Sequence, residues 1–332
     1  MADVTYRALV AERDGDVVHR ELRELGAADL PEGDVTIRVA WSSVNYKDAL
    51  AVSPTGQVAR ISPLVPGIDL VGEIVEGEVA GAGPGDTVLA HGYDIGVSRH
   101  GGFAELARMP AELVVPLPEG LTPRDAMAVG TAGFTAALSI AHLQDAGLQP
   151  GDGPVLVLGA TGGVGSLAVD MLAALGHEVH ASTGKAHEAD MLRELGAAEV
   201  LTREETSAES DRPLERQRWA GVVDPVGGAS LAYALRTARI GAAVASSGQI
   251  GGIALHTTVF PFILRGVSLR GVDSANMEIG ARRQLWARLA GELRPRSLER
   301  LVREVTLDEV DGVLSETLGG GARGRTVVRI GG

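Results

Sequence analysis

The chain has 332 residues, with 45% hydrophobic and 22% charged side chains, a formal net charge of −13 and no cysteine. This length exceeds one ordinary domain and predicts two cores, and the composition is that of a globular rather than a disordered protein. The acidic balance offers no basic field to nucleic acid or an anionic membrane, and without cysteine there are no disulfides, catalytic thiols or thiolate metal sites.

The N-terminus, MADVTYRALV, lacks a signal-peptide pattern. No apolar stretch approaches the roughly 20 residues that cross a bilayer, so no membrane partner and a cytoplasmic location are expected. From Tyr6 to about Pro118, alternating segments such as 35–41 and 87–90 read as antiparallel strands. Glycine and proline punctuate them at 31–33, 66–67 and 81–85, which predicts a compact β-rich domain. His91 and His100 flank HGYDIGVSRHGG. Isolated loop histidines are ordinarily solvated, and neither is assigned a role. The eight histidines show no H-x-x-x-H pairing, so no metal is expected.

Beyond Thr122 the pattern changes. Residues 126–142 read as a helix, and from Pro154 strands alternate with helices, at 178–181, 199–201, 221–225, 242–246 and 268–273. That alternation implies a doubly wound parallel sheet. Residues 282–293 then look helical and 325–330 return to strand. The segments 22–28 and 192–198 both read LRELGAA, but no repeat organises the chain. The charged run 203–218 reads as a solvated face.

The stretch 154–185, PVLVLGATGGVGSLAVDMLAALGHEVHASTGK, is a complete strand, glycine turn, helix and second strand. Ala160, Gly162 and Gly165 fall in the register of the dinucleotide fingerprint G-x-G-x-x-G, with alanine in the first place. Gly162 lets backbone approach a pyrophosphate, Gly165 lets the helix lie close to the sheet, and the helix N-terminus offers unpaired N–H groups to the anion. Gly163 completes the turn. The bland alternative is a tight turn with no ligand, but its place between strand and helix favours the dinucleotide.

An NAD site usually places an acidic residue about 20 residues beyond the glycines. Here that position reads Ser182, Thr183, Gly184 and Lys185, and Lys185 is one of two lysines in the chain, with Lys47. Hydroxyls and a cation suit a 2′-phosphate, so NADPH is favoured over NADH. Arg203 follows a strand end and could reach the same phosphate.

In order along the chain stand WSSVNYKDAL from Trp41, PLVPGIDLVGEI from Pro63, GGFAE from Gly101, GTAGFTAAL from Gly130, GATGGVGS from Gly159, DPVGG from Asp224 and PFILRGVSLRGVDS from Pro261. This series resembles the medium-chain dehydrogenase/reductase superfamily, in particular the zinc-free quinone-oxidoreductase-like branch and its NADPH-dependent acryloyl-CoA reductases. The resemblance spans almost the whole chain. It implies a GroES-like β-rich catalytic domain over 1–125, completed by 270–332, with a Rossmann NADPH-binding domain inserted over 126–269. It also implies that Tyr46 and Thr131 lie beside the cofactor, that Val164, Gly165 and Ser166 contact phosphate, and that Gly248, Gln249 and Ile250, with Phe262, Ile263 and Leu264, run along it. A homodimer paired through the Rossmann sheet is implied too.

The implied chemistry needs a donor for an enolate oxygen and a proton for the α-carbon of a thioester. Backbone N–H groups near the cleft, or Asn45 and Lys47, are candidate donors for the oxyanion, and Tyr46 is a candidate acid, with water as the alternative. The simpler reading of 45–48 is a structural turn with Lys47 paired to Asp48. Asp69 is expected to serve in structural pairing. Arg60, Arg265, Arg282 and Arg283 are available to bind the phosphates of a CoA substrate. Three readings stay open: a reductase of a short 2-enoyl-CoA, an NADPH:quinone oxidoreductase, and a non-catalytic NADPH-binding protein. An aromatic content of 3% leaves few rings for quinone stacking.

Overall fold

A computed structural model describes residues 4–331, which form two compact units. The first runs through Thr131 and takes in Ala275–Ala290 and Leu298 onward; the second comprises Ala132–Ser274 and Gly291–Ser297.

In the first unit, Val35–Val44 (VTIRVAWSSV) is the organising strand. Its β-branched residues suit a pleated, buried surface, and it pairs antiparallel with Asp69–Glu76, Arg325–Arg329 and Leu106–Met109. The main path of this seven-stranded sheet runs Val302–Thr306, Arg325–Arg329, Val35–Val44, Asp69–Glu76, Thr87–His91, Val114–Pro116. Leu9, Ile37, Val39, Leu70, Ile74, Val88, Phe103 and Val328 fill its core. Each such side chain contributes about 1.5–3 kcal/mol by leaving water. The register sets Asp69 directly opposite His91, which places both polar side chains inside the unit.

The second unit carries a parallel six-stranded sheet in the order Ala197–Thr202, Val179–Thr183, Val155–Val157, Trp219–Asp224, Ala238–Ser246, Ser268–Gly271. Counted along the unit this is 3-2-1-4-5-6, the doubly wound Rossmann order expected from the alternation. Val155, Leu156 and Val157 are buried on both faces, as a central parallel strand requires. The order reverses between that strand and Trp219–Asp224, and the carboxyl ends at such a reversal are where sheets of this order bind ligands.

Two expectations need correction. The helix read at 126–142 spans Pro123–Asp145 and is broken at Gly130, where φ is 50° and ψ −160°. Its 23 residues are long and apolar enough to cross a membrane by length and composition, contrary to the reading that no stretch approaches that size. Most of it is buried within the fold. The two LRELGAA segments also differ: the first ends the strand Val17–Gly26, whereas the second ends the helix Ala189–Glu194 and starts the strand Ala197–Thr202.

Candidate active site

In the second unit, the candidate residues gather at the carboxyl ends of the sheet. Leu158 leads into a turn where Gly159 has φ 57°, and the helix Gly163–Ala174 begins at Gly162. No side chain caps that helix. The N–H groups of its first turn therefore face outward without an intrahelical acceptor, which suits a phosphate. Gly162 is exposed, and a Cβ there would meet only the Gly159 carbonyl oxygen at 3.4 Å. At Gly165 a Cβ would overlap that same oxygen and stand 2.7 Å from Ala160 Cα, so this glycine fixes how closely helix and strand approach. Ala160 is buried and donates its N–H to Ser182 O at 2.9 Å, which ties the turn to the next strand. Val164 is half-buried, and Ser166 is buried inside the helix.

At the end of Val179–Thr183 the side chains divide. The Ser182 hydroxyl is buried against Thr206 Oγ1 at 2.5 Å, and Thr183 Oγ1 lies 3.1 Å from Thr161 Oγ1 and accepts the Lys185 N–H. Both hydroxyls are thus engaged within the fold. The cations remain at the surface: Lys185 is half-buried, and the exposed Arg203 lays its guanidinium over Gly184, where a Cβ would stand 2.6 Å from Cζ.

Across the order reversal, Asp224 accepts the N–H groups of Val226 and Gly227, both at 2.9 Å, and the Ser246 hydroxyl at 2.9 Å. Burial pushes its carboxyl above the usual range, and these donors oppose the shift. They shape the Pro225–Gly228 turn against Gly248 and Gln249, since a Cβ on Gly227 (φ 74°) would stand 2.9 Å from Gly248 O and 3.3 Å from Gln249 Cα. Ile250 is exposed nearby in the chain. Phe262 rests on the core of this unit, whereas Ile263 and Leu264, on the helix Phe260–Arg265, are exposed.

In the first unit, Asn45 precedes the short helix Tyr46–Ala51 and donates its N–H to Asp48 Oδ2 at 2.8 Å. Tyr46 is 44% exposed and Lys47 is exposed. Asp48 is not Lys47's partner. It turns inward, fully buried, and accepts the N–H groups of Gly67 and Ile68 at 3.1 and 2.7 Å. Burial first, then the Asp69 charge, push its carboxyl up to about 7. Asp69 binds Ser43 Oγ at 2.5 Å, Asn45 Nδ2 at 2.8 Å and both the N–H and hydroxyl of Thr131, with Arg325 Nη2 at 3.7 Å. Structure thus brings Asn45 and Thr131 together around one carboxylate.

His91 and His100 are each held within the fold rather than free in solvent. His91 lies in the strand Thr87–His91, fully buried, with Trp286 Nε1 2.8 Å from Nε2 and Arg282 Nη1 within 3.0 Å of both ring nitrogens. Burial first, then Arg282, hold its pKa well below the ordinary value, so it is a neutral imidazole. His100 Nδ1 accepts the Val65 N–H at 3.1 Å, and burial lowers it too.

Of the four arginines offered for CoA, two are engaged inside the fold. Arg282 is fully buried with its guanidinium 4.3 Å above the Tyr93 ring, and Arg265 is spent on the backbone carbonyls of Glu215, Arg236 and Ala238. Arg60 pairs with Asp94 at 2.9 Å, and Arg283 has a buried Nε without a partner. Composition alone could not reveal the Asp69 partners Ser43 and Arg325, or the roles of His91, Trp286 and Arg282.

Comparison with known proteins matches residues 31–119 to a family described as "Alcohol dehydrogenase GroES-like domain" and residues 163–290 to one described as "Zinc-binding dehydrogenase". The chain is 45% identical to "Acrylyl-CoA reductase AcuI" of Ruegeria pomeroyi over 98% of this chain and 99% of that one. It is equally identical, with the same coverage, to "Putative quinone oxidoreductase YhfP" of Bacillus subtilis, whose crystal structure with NAD bound superposes with a TM-score of 0.96. The YhdH oxidoreductase of Salmonella enterica, solved in complex with NADP, gives 0.95 at 43% identity, covering 98% of this chain and all of that one.

Zinc does not fit the residues present. The Asp69 oxygens already carry side-chain and backbone donors, and the His91 ring nitrogens face Trp286, Arg282 and Thr131. Among the described residues, no three His, Asp or Glu side chains come together as a metal would need.

Proposed function

The chain belongs to the medium-chain dehydrogenase/reductase superfamily, and from that premise we propose that it reduces the carbon–carbon double bond of a short 2-enoyl-CoA with NADPH, acryloyl-CoA to propanoyl-CoA above all. The observation that carries the reading is 45% identity, over nearly the full length of both chains, to an acrylyl-CoA reductase. The bare helix start at Gly162–Gly165 would hold the pyrophosphate, and Lys185 and Arg203 the 2′-phosphate. When bound, the dinucleotide supplies a hydride for the β-carbon. Tyr46, exposed at the start of its helix, is the candidate proton donor to the α-carbon, and Lys47 beside it the candidate partner for the enolate oxygen.

A quinone oxidoreductase is the second reading, favoured by the name of the equally similar Bacillus protein. A homodimer is proposed as well. The strand Ser268–Gly271 is an edge of the parallel sheet, and Val259, Phe260, Ile263 and Leu264 expose apolar surface just before it. A reaction that consumes NADPH and a CoA thioester belongs with those pools, in the cytoplasm.

The test is steady-state oxidation of NADPH with acryloyl-CoA, crotonyl-CoA and a benzoquinone in parallel, and NADH as control. Highest kcat/KM with acryloyl-CoA and NADPH is expected; turnover of quinone alone supports the second reading, and binding without turnover overturns both. Light scattering at twice the chain mass is expected for the dimer.

A further inference from the structure

Asp69 is fully buried, yet donors reach it from segments far apart in the chain, and the proposed reaction gives it no task. The direction of each bond can be assigned from what its partners are able to donate. Arg325 has only donors, so Ser43 Oγ, 2.8 Å from Nη2, accepts there and gives its own proton to Asp69. Arg325 Nη1 donates to Asn45 Oδ1 at 3.1 Å, which turns the amide so that Nδ2 donates to Asp69. On the other side, the Trp286 indole is a donor only, which makes His91 Nε2 the acceptor. Thr131 Oγ1, 3.3 Å from His91 Nδ1, gives its proton to Asp69 Oδ1 at 2.5 Å. These links all point at one carboxylate.

The backbone is fitted to this centre. Gly130, with φ 50°, leaves no room for a side chain: a Cβ would stand 2.5 Å from Asp69 Oδ2 and 2.6 Å from Arg325 Nη2. Arg325 also donates to the carbonyls of Val44 and Ala128, on either side of the same centre. Asn45 passes the constraint on, because its N–H is held by Asp48 and its carbonyl accepts the N–H groups of Asp48 and Ala49. Where Asn45 sits therefore decides where Tyr46 starts.

We infer that Asp69 and Arg325 are positioning residues of the proposed reductase, which fix Tyr46 and Lys47 through Asn45 and the Gly130–Thr131 turn through Thr131. The inference rests on that reaction for its kinetic readout but not for its spectroscopic one. Both residues are buried and act through the residues they hold, and misplacement of about 1 Å at a reacting group can cost around a hundredfold in rate.

The experiment compares Asp69→Asn, Arg325→Lys and the exchange Asn45→Asp with Asp69→Asn in the full-length protein. In Asp69→Asn an N–H₂ group faces Ser43, Asn45 and Thr131 donors. Its kcat per NADPH-binding site should fall by at least about tenfold while KM for the acyl-CoA changes less than about threefold. Arg325→Lys keeps the charge but loses the fork, and should fall between. The exchange restores a carboxylate opposite an amide and should recover part of kcat. Counting active sites by NADPH titration removes any effect of lost folded protein; unchanged kcat per site overturns the inference.

The chain has four tyrosines, and Tyr46 is the exposed one among them. In protein labelled with 3-fluorotyrosine, its ¹⁹F resonance, identified with Tyr46→Phe, should shift or broaden in Asp69→Asn. An unmoved Tyr46 signal overturns the inference even if the wild type proves inactive on acyl-CoA, the result that would sink the proposed reaction instead.

Discussion

Trp286 donates its indole N–H to Nε2 of His91 at 2.8 Å, and the two rings meet edge to face with centroids 5.5 Å apart. An indole cannot accept, so the contact is possible only while Nε2 is unprotonated. The neighbouring Arg282 cation enforces the same state. His91 is thus a neutral link in a buried network, and that has a consequence for stability.

Free histidine titrates near 6.5. Because the folded value lies well below this, the unfolded chain binds a proton that the folded chain refuses as pH falls through about 6.5. The His91 contribution is therefore complete above that pH and lost below it, with a slope of up to about 1.4 kcal/mol per pH unit. Asp48 acts in the opposite sense. Raised from 3.8 to about 7, it holds a proton in the folded state, so its contribution is complete below 3.8 and lost as pH rises through about 7. Urea unfolding at pH values between about 7.5 and 5 should show the advantage of wild type over His91→Gln shrinking with acid, and its advantage over Asp48→Asn growing. Parallel pH profiles for the two variants would contradict both assignments.

The guanidinium of Arg203 over Gly184 and the Lys185 side chain give a cofactor prediction. Arg203→Glu and Lys185→Glu should each raise KM for NADPH by about tenfold or more, the loss of a charge-assisted contact worth about 1.5–3 kcal/mol, and leave KM for NADH little changed. Equal effects on both cofactors would remove these residues from the 2′-phosphate.

Much of the second unit was legible because its signals are local. Strand, glycine turn, helix and strand follow one another within 154–185, and hydrophobic periodicity reports such neighbours directly. The LRELGAA pair marks the limit of that reasoning: one segment completes a hairpin against Thr5–Asp14 and the other a helix, so partners outside the segment decide. The centre at Asp69 was hidden for the same reason. Its partners come from Ser43, Asn45, Thr131 and Arg325, and no spacing in the chain relates them. Arg282 misled because charged side chains are rarely buried; it is, because His91, Tyr93 and the Ala275 carbonyl receive it.

Tyr46 tests the chemistry. Tyr46→Phe removes only the phenolic oxygen from an exposed ring and should leave the melting temperature in place. If the phenol gives the proton, kcat should drop about tenfold, about 1.4 kcal/mol of barrier, with a smaller change in KM. An unchanged kcat makes water the proton source.

Gly162 and Gly165, three residues apart, should fail in different ways. Gly162 has φ −80° and ψ 173°, which alanine adopts without strain, and its new methyl would touch only the Gly159 carbonyl oxygen. Gly162→Ala should therefore change unfolding free energy by no more than about 0.5 kcal/mol, yet raise KM for NADPH about tenfold or more, because the methyl stands where a pyrophosphate must approach. At Gly165 the obstacles are backbone atoms of Gly159 and Ala160, which cannot turn aside as a side chain can. Gly165→Ala should cost about 1–3 kcal/mol of stability by pushing the helix off its strand, whether or not dinucleotide is present. Urea denaturation and NADPH titration of both variants separate the two effects. If Gly162→Ala binds NADPH as the wild type does, the turn is a packing device and the pyrophosphate lies elsewhere.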